Sequence, residues 1–386
     1  MHQSSNPDAG SASSSAPHRG LKPVKGKPIL AAASNDNDTG VTERAQLLGI
    51  DLGTSRSSIV SMGGVRKTVE TYVGYARDPV SRKMLKADVI FGRHALDNRL
   101  AVDLVRPLES GVLKGTLADA GGKQDEGAKA LRAARDLLRY MVDMVHPGRD
   151  EVLFGVIGVP SRAGHGSKQA IIDMAKDVLD SVMIVSEPFT VAYGMERMSD
   201  IMVIDIGAGT TDLCRMHGTV PTEEDEISYP IAGDSVDKKL MELILAKYPK
   251  VQITQNMCKG FKEQYGFVSD TKDKVEVMIP VDGTPTPHDI TEELKKASEI
   301  LIDPIVEGIH KLVSSFNPEF QERLRHNVLL SGGGGLMRGL NKRIEEAMKR
   351  IGGGTVTIVE EPLYAGANGA LQLAMDMPGE YWQQLR

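Results

Sequence analysis

Residues 202–212 read Met202-Val-Ile-Asp-Ile-Gly-Ala-Gly-Thr-Thr-Asp212, an apolar run that leads into an acid and a glycine-rich turn. The pattern predicts a buried strand that ends at Asp205 and is followed by a tight turn. Glycines let the backbone approach an anion closely, and turn N–H groups together with threonine hydroxyls suit phosphate oxygens. The candidate phosphate-binding residues are Gly207, Ala208, Gly209 and Thr210. Taken alone, the stretch fits an ordinary β-hairpin turn equally well.

A second copy of this design occurs earlier in the chain, at Leu47-Leu-Gly-Ile-Asp-Leu-Gly-Thr-Ser-Arg-Ser-Ser-Ile59. Its candidate phosphate-binding residues are Asp51, Gly53, Thr54 and Ser55. Neither copy has the Gly-x-x-x-x-Gly-Lys sequence of a Walker A loop. Two matched turns predict a nucleotide held between two similar halves of the chain. Because carboxylates at strand ends suit a hydrated divalent cation, Asp51 and Asp205 are the candidate Mg²⁺ ligands.

A third motif is the stretch Asn327-Val-Leu-Leu-Ser-Gly-Gly-Gly-Gly-Leu-Met-Arg-Gly-Leu340, in which an apolar strand meets four glycines. A helix is predicted to follow over residues 337–351. Backbone without side chains can lie against a flat base or a phosphate, whereas a flexible linker is the alternative interpretation. The core strand before the glycines and the helix after them favour nucleotide binding. The candidate residues are Gly332, Gly333, Gly334 and Gly335.

The three motifs, in this order, resemble the two phosphate loops and the adenosine motif of the actin, Hsp70 and sugar-kinase superfamily. The resemblance covers about residues 45–377 and extends to the small residues at 365–370, which are similar to its second interdomain helix. It implies an α/β, actin-like two-lobed ATPase fold, in which two ribonuclease-H-like subdomains carry smaller inserted subdomains. It also implies ATP and Mg²⁺ as ligands.

Domain boundaries follow from composition and from the order of predicted elements. Residues 1–44 are rich in Ser, Gly, Ala, Pro and Asn, which predicts a disordered extension, with a tether to a partner or membrane as the alternative. The remaining predicted units are lobe I at 45–194 with an insert at about 66–110, lobe II at 195–362 with an insert at about 229–297, and a return to lobe I with a C-terminal tail at 363–386.

Several local predictions rest on proline, acidic residues and helical spacing. Residues 106–111 are predicted to form a loop, and 282–289 another, because of two prolines. The acidic stretch 223–226 is predicted to be a solvated turn. A helix starting at Thr291 is predicted to continue through a kink at Pro304.

Glu187-Pro188 is predicted to lie at the start of a helix, where a glutamate is usually a favourable partner for the helix dipole. In actin-like bacterial filament proteins, a Glu-Pro at the start of the interdomain helix carries the residue that orients the attacking water. The resemblance therefore implies catalytic roles for Glu187 and Asp205.

The stretch Cys258-Lys-Gly-Phe-Lys262 departs from the family pattern Ala-Glu-x-Ile-Lys. Lys262 keeps the family's lysine and is predicted to bind the nucleotide. Lys259 stands where the family's glutamate holds the ribose, so ribose recognition stays open, and an exposed Lys259 is the simpler interpretation.

Composition narrows the function further. A net charge of −6 and an aromatic content of 4% over 386 residues argue against a nucleic-acid partner. The only cysteines are Cys214 and Cys258, which favours a reducing, cytoplasmic compartment over a disulfide framework. No apolar run approaches the roughly 20 residues that span a bilayer.

Within the superfamily, several runs resemble the actin-like filament proteins that organise magnetosome chains in magnetotactic bacteria. These runs are residues 48–55, 186–194, 203–214, 218–221, 261–265 and 381–385. The resemblance implies a polymerising ATPase with itself and magnetosome-associated adaptor proteins as partners, located in the cytoskeleton along the magnetosome chain. A sugar-type kinase, a cell-shape or plasmid-segregation filament, and a non-hydrolysing nucleotide-sensing scaffold are the alternatives.

Overall fold

The computed structural model describes residues 45–114, 124–145, 151–161, 163–271 and 273–385, with only the backbone at 124 and 125. The prediction of a disordered extension at residues 1–44 lies outside these ranges. Within them, every helix is too short or too polar to cross a bilayer.

The strands are β1 (Ala45–Asp51), β2 (Arg56–Ser61), β3 (Arg66–Glu70), β4 (Val73–Ala76), β5 (Val89–Phe91), β6 (Val102–Val105), β7 (Leu108–Glu109), β8 (Val112–Leu113), β9 (Val152–Val159), β10 (Ser181–Ser186), β11 (Ser199–Ile206), β12 (Thr211–His217), β13 (Glu226–Tyr229), β14 (Glu276–Val281), β15 (Thr284–Asp289), β16 (Val328–Ser331) and β17 (Val356–Ile358). The helices are α1 (Pro79–Leu85), α2 (Gly92–Asp97), α3 (Gln124–Met144), α4 (His165–Ala175), α5 (Glu187–Gly194), α6 (Gly233–Lys247), α7 (Gln255–Tyr265), α8 (Thr291–Glu299), α9 (Ile302–Ser314), α10 (Gln321–Arg325), α11 (Leu340–Met348), α12 (Ala365–Asp376) and α13 (Gly379–Gln384).

Two five-stranded sheets of the same design organise the molecule. Their strand orders are β3-β2-β1-β9-β10 and β13-β12-β11-β16-β17. In each sheet an antiparallel meander of three strands is extended by two parallel strands. The two acid-and-glycine motifs form equivalent turns, between β1 and β2 in one sheet and between β11 and β12 in the other. The predicted α/β fold with two similar lobes is therefore confirmed.

The helices α5 and α12 lie between the two sheets and pack tightly on each other. The α5 side contributes Phe189 to a core shared with β11 and β12, and the α12 side contributes Ala370 to a core shared with β1 and β9. Glycines allow the crossing: a Cβ on Gly369 would stand 1.7 Å from the Thr190 carbonyl oxygen, and one on Gly194 would stand 2.7 Å from the Gly369 Cα. Side chains cannot fit there, so backbone meets backbone.

Each sheet also carries a smaller inserted unit. A three-stranded sheet in the order β5-β4-β6, with α1 and α2, follows the first meander. The second lobe carries α6, α7 and α8 together with the β14–β15 hairpin. The C-terminal α13 returns to the first sheet, where Trp382 stacks on Phe154 with ring centroids 5.1 Å apart.

Three local predictions are wrong. The predicted loop at 282–289 is the turn and second strand of the β14–β15 hairpin, because β15 belongs to a two-stranded sheet whose open edge tolerates proline. The predicted single helix through Pro304 is two helices, with Pro304 in the first turn of α9, where its missing N–H costs nothing. The acidic stretch 223–226 is not a fully solvated turn. Asp225 is buried, and its Oδ1 accepts a hydrogen bond from Arg215 Nε at 2.7 Å.

Candidate functional site: an interlobe cleft

A cavity of about 420 Å³ lies between the two sheets and receives both glycine-rich turns. Its walls include the β1–β2 turn, the β11–β12 turn, the start of α5, one face of α7 and the glycines after β16. The sequence-predicted residues on its walls are Asp51, Gly53, Thr54, Ser55, Glu187, Asp205, Gly207, Ala208, Gly209, Thr210, Lys262, Gly332, Gly333 and Gly334. Gly335 lies behind the wall, where a Cβ would stand 3.3 Å from Leu330 Cγ.

One end of the cavity is acidic. Burial raises the pKa of Asp51 to about 7. Burial, together with the charges of Asp51 and Asp212, also raises the pKa of Asp205 to about 7. Burial and the three neighbouring carboxylates raise the pKa of Glu187 well above its ordinary value. The four groups therefore share one desolvated site, and the pKa of Asp212 rises to about 6 there, mainly through burial.

This acidic end fits a divalent cation. Crowded, desolvated carboxylates repel each other, and a dication between them would offset that repulsion. The described residues include no cluster of three or more Asp, Glu, His or Cys side chains arranged as a complete metal cage. Mg²⁺ suits such a place because it keeps several waters and needs only one or two carboxylates beside the phosphates. Asp51 and Asp205 are the residues that would hold it.

The glycines bring backbone close to this end of the cavity. Gly332 has φ of +76°, and a Cβ there would stand 2.6 Å from Asp205 Oδ1 and 2.5 Å from the Ile206 carbonyl oxygen. The β11–β12 turn is in turn held by α6, because the N–H groups of Gly233 and Asp234 donate to the carbonyl oxygens of Gly207 (3.1 Å) and Ala208 (2.8 Å). The turn's position is thus tied to the first turn of a helix.

Arg106 joins the two lobes directly beside the turns, a role that the sequence did not reveal. Its Nε donates to the Thr54 carbonyl oxygen at 2.9 Å, and its Nη2 lies 2.8 Å from Asp234 Oδ2. The Thr54 hydroxyl also accepts from the Gly111 N–H at 2.9 Å. One guanidinium therefore links the first turn to the helix that holds the second. The predicted loop at 106–111 was the only local signal.

The two lysines of α7 have different partners. Lys262 Nζ donates to the Gly233 carbonyl oxygen at 2.7 Å and lies 2.8 Å from the buried Asp237 carboxylate. Lys259 Nζ donates across the cleft to Ser55 Oγ at 2.6 Å, with its side chain 16% exposed. The interpretation of Lys259 as an exposed residue is therefore wrong, because α7 points it into the cavity.

Two matched sheets, paired turns and a cleft between them define an actin-like protein. The chain belongs to the MreB/Mbl protein family, whose model matches residues 45–379. It is 36% identical over 346 residues to the actin-like protein MamK of Paramagnetospirillum magneticum, covering 90% of this chain and 97% of that one. The resemblance to this branch of the family, seen first in the motifs, is confirmed.

Solved structures give the same relationship. A MamK double helical filament matches with a TM-score of 0.82 and 36% identity, covering 86% of this chain and 100% of that one. A non-polymerising MamK mutant bound to AMPPNP matches with a TM-score of 0.65 and 35% identity, covering 86% of this chain and 99% of that one. MamK is thus seen as a filament and, in a non-polymerising mutant, bound to AMPPNP.

Proposed function

We propose that this protein is an actin-like ATPase that binds ATP with Mg²⁺ in the interlobe cleft and polymerises into filaments. The observation that carries the proposal is the meeting of Asp51, Asp205 and Glu187 at one end of a single cavity, between two matched turns. The MamK filament and the AMPPNP-bound MamK mutant support it, since the match includes 100% of the filament chain and 99% of the mutant chain.

The site has the parts that phosphoryl transfer to water requires. Backbone N–H groups and hydroxyls of the two turns bind the phosphates, and the bare backbone of Gly332–Gly334 lines the same cavity. Asp51 and Asp205 would hold Mg²⁺, which would supply positive charge to the phosphate oxygens. Glu187 orients the attacking water in line with the leaving group. Catalysis of this kind depends on positioning and charge stabilisation rather than on covalent intermediates.

In the cell, we place the filament along the magnetosome chain. The sequence resemblance to magnetosome-organising filaments and the 36% identity to MamK support this location. Magnetosome-associated adaptor proteins would then connect filament and vesicles. Imaging of a fluorescent fusion in a magnetosome-forming cell tests this location. Filaments that do not colocalise with the magnetosome chain would contradict it.

Purified protein is expected to form sedimentable filaments, visible by negative-stain microscopy, when ATP and Mg²⁺ are present. Phosphate release is expected without any added acceptor, because water is the nucleophile. EDTA is the control that removes the cation. Turnover that requires a sugar or another acceptor, with no polymer in the pellet, would instead identify a small-molecule kinase on the same fold.

The Arg106–Asp234 pair is expected to slow the release of bound nucleotide. Arg106→Gln and Asp234→Asn should each accelerate release of a fluorescent ATP analogue several-fold, since a partly buried ion pair of this kind contributes about 1 kcal/mol. The double variant should release no faster than the single ones, because both remove the same contact. Arg77→Gln is a matched control, as it breaks an exposed pair with Asp103 in the same insert. Additive effects in the double variant would refute the coupling.

A further inference from the structure

The ammonium of Lys259 is brought from the second lobe to the first phosphate turn. It lies on α7, whose other lysine is already committed to Asp237 and the Gly233 carbonyl oxygen. The Lys259 Nζ has a neutral partner in Ser55 Oγ at 2.6 Å, and its nearest carboxylate, on Glu263, is 4.0 Å away and half exposed. Its charge therefore has little compensation from the protein.

Other cations surround this position. Burial lowers the pKa of Lys259; the charge of Glu263 opposes that effect, and the charges of Arg106, Lys262 and Arg56 add to it. A desolvated ammonium with several cationic neighbours attracts an anion strongly, since charge-assisted hydrogen bonds strengthen away from water. The cavity is thus acidic where the cation fits and basic beside Ser55.

We propose that Lys259 binds the phosphate chain of the nucleotide, closing the second lobe onto the first phosphate turn. The inference deepens the proposed function and depends on it. Ser55 holds the ammonium beside the turn, and a phosphate oxygen bound to that turn would share or replace the hydroxyl as its partner. The residue therefore acts on the charged part of the ligand, rather than on its ribose.

The contact also links ligand binding to the lobe arrangement. Lys259 belongs to the helix α7, which packs on α6, and α6 holds the β11–β12 turn through Gly233 and Asp234. An ammonium that binds phosphates at the β1–β2 turn thereby ties both turns to one ligand. A lysine suits this contact with the phosphates because its flexible side chain ends in a compact charge.

The test measures binding of ATP, ADP, AMP and adenosine to wild type, Lys259→Met and the control Lys250→Met, all with Mg²⁺. Lys250 is exposed in the same lobe and does not line the cavity. Lys259→Met is expected to weaken ATP binding about ten- to a hundredfold. The loss should shrink from ATP to AMP and vanish for adenosine. In phosphate-release assays its KM for ATP should rise while kcat changes little.

Several results would overturn the inference. An equal loss for adenosine and ATP would assign Lys259 to the nucleoside, and unchanged ATP affinity would remove it from the site. Lys259→Gln serves as a second uncharged variant if Lys259→Met does not fold, as judged by its thermal unfolding. A wild-type protein that binds no ATP would refute the proposed function itself, whereas wild-type binding with an unaffected variant refutes only the role of Lys259.

Discussion

Glu187→Gln is expected to lower phosphate release from ATP by about a hundredfold or more, while filaments still form with ATP and Mg²⁺. The substitution keeps the size of the side chain and removes the carboxyl group that would position the attacking water. Glu187 is the first residue of α5, half-buried beside Asp51 and Asp205 on the cavity wall, and α5 is held in place by its crossing with α12. Removal of the Glu187 carboxyl group should therefore lower the rate of hydrolysis more than it disturbs the fold of the cleft.

The matched control is Glu380→Gln, an exposed glutamate of α13. It should release phosphate and sediment like wild type. Single-turnover phosphate release and pelleting, measured on the same samples, separate hydrolysis from assembly. Wild-type hydrolysis in Glu187→Gln would remove this residue from the catalytic role. Loss of both hydrolysis and nucleotide binding would instead mean that Glu187 supports the cleft rather than the water.

Gly332→Ala is expected to destabilise the second lobe and to weaken ATP binding at least tenfold. The added methyl would meet the Ile206 carbonyl oxygen and Asp205 Oδ1, both closer than 3 Å. Backbone must shift, and the carboxylate predicted to hold the cation shifts with it. The steric cost of about 1–3 kcal/mol adds to the backbone strain of an alanine at φ +76° and ψ 169°, a conformation that only glycine adopts readily, which costs about 1–3 kcal/mol more.

Gly353→Ala separates the cost of backbone strain at positive φ from the cost of the steric clash. Gly353 has φ of +78°, close to that of Gly332, but a Cβ there meets nothing within 4 Å. It should lower the melting temperature slightly and leave ATP affinity at the wild-type value. Thermal unfolding and ATP titration of both variants give the comparison. Equal effects of the two alanines on ATP affinity would show that backbone strain alone, and not the crowding of Asp205, explains the result.

The sequence predicted the parts of the site that are local. A strand that ends in an acid, followed by glycines and hydroxyls, determines its own turn, so both glycine-rich turns and the Gly332–Gly334 segment of the cavity wall could be found without coordinates. Their meeting in one cavity followed from the duplicated design. The α/β lobes followed from the same repetition, although the boundary of each lobe remains a prediction.

Contacts between distant segments could not be predicted in this way. Arg106 reaches Asp234, and Lys259 reaches Ser55, only because two lobes fold against each other, and neither pair has a spacing that a pattern detects. The hairpin at β15 and the break before α9 were missed for a different reason. Proline is disfavoured in the interior of a helix or a sheet. Pro285 lies on an open sheet edge and Pro304 lies in the first turn of a helix, and proline is tolerated at both places.

The glycines at the crossing of α5 and α12 set a dimension far from their own location. At Gly194 and Gly369 the two helices between the sheets meet without intervening side chains, and a Cβ on Gly366 of α12 would stand 3.3 Å from Asp51 Oδ2. A single methyl at the crossing would push the two helices apart and so widen the cleft between the two glycine-rich turns. The width of the cleft therefore depends on the absence of side chains at this crossing rather than on any side chain that lines the cavity.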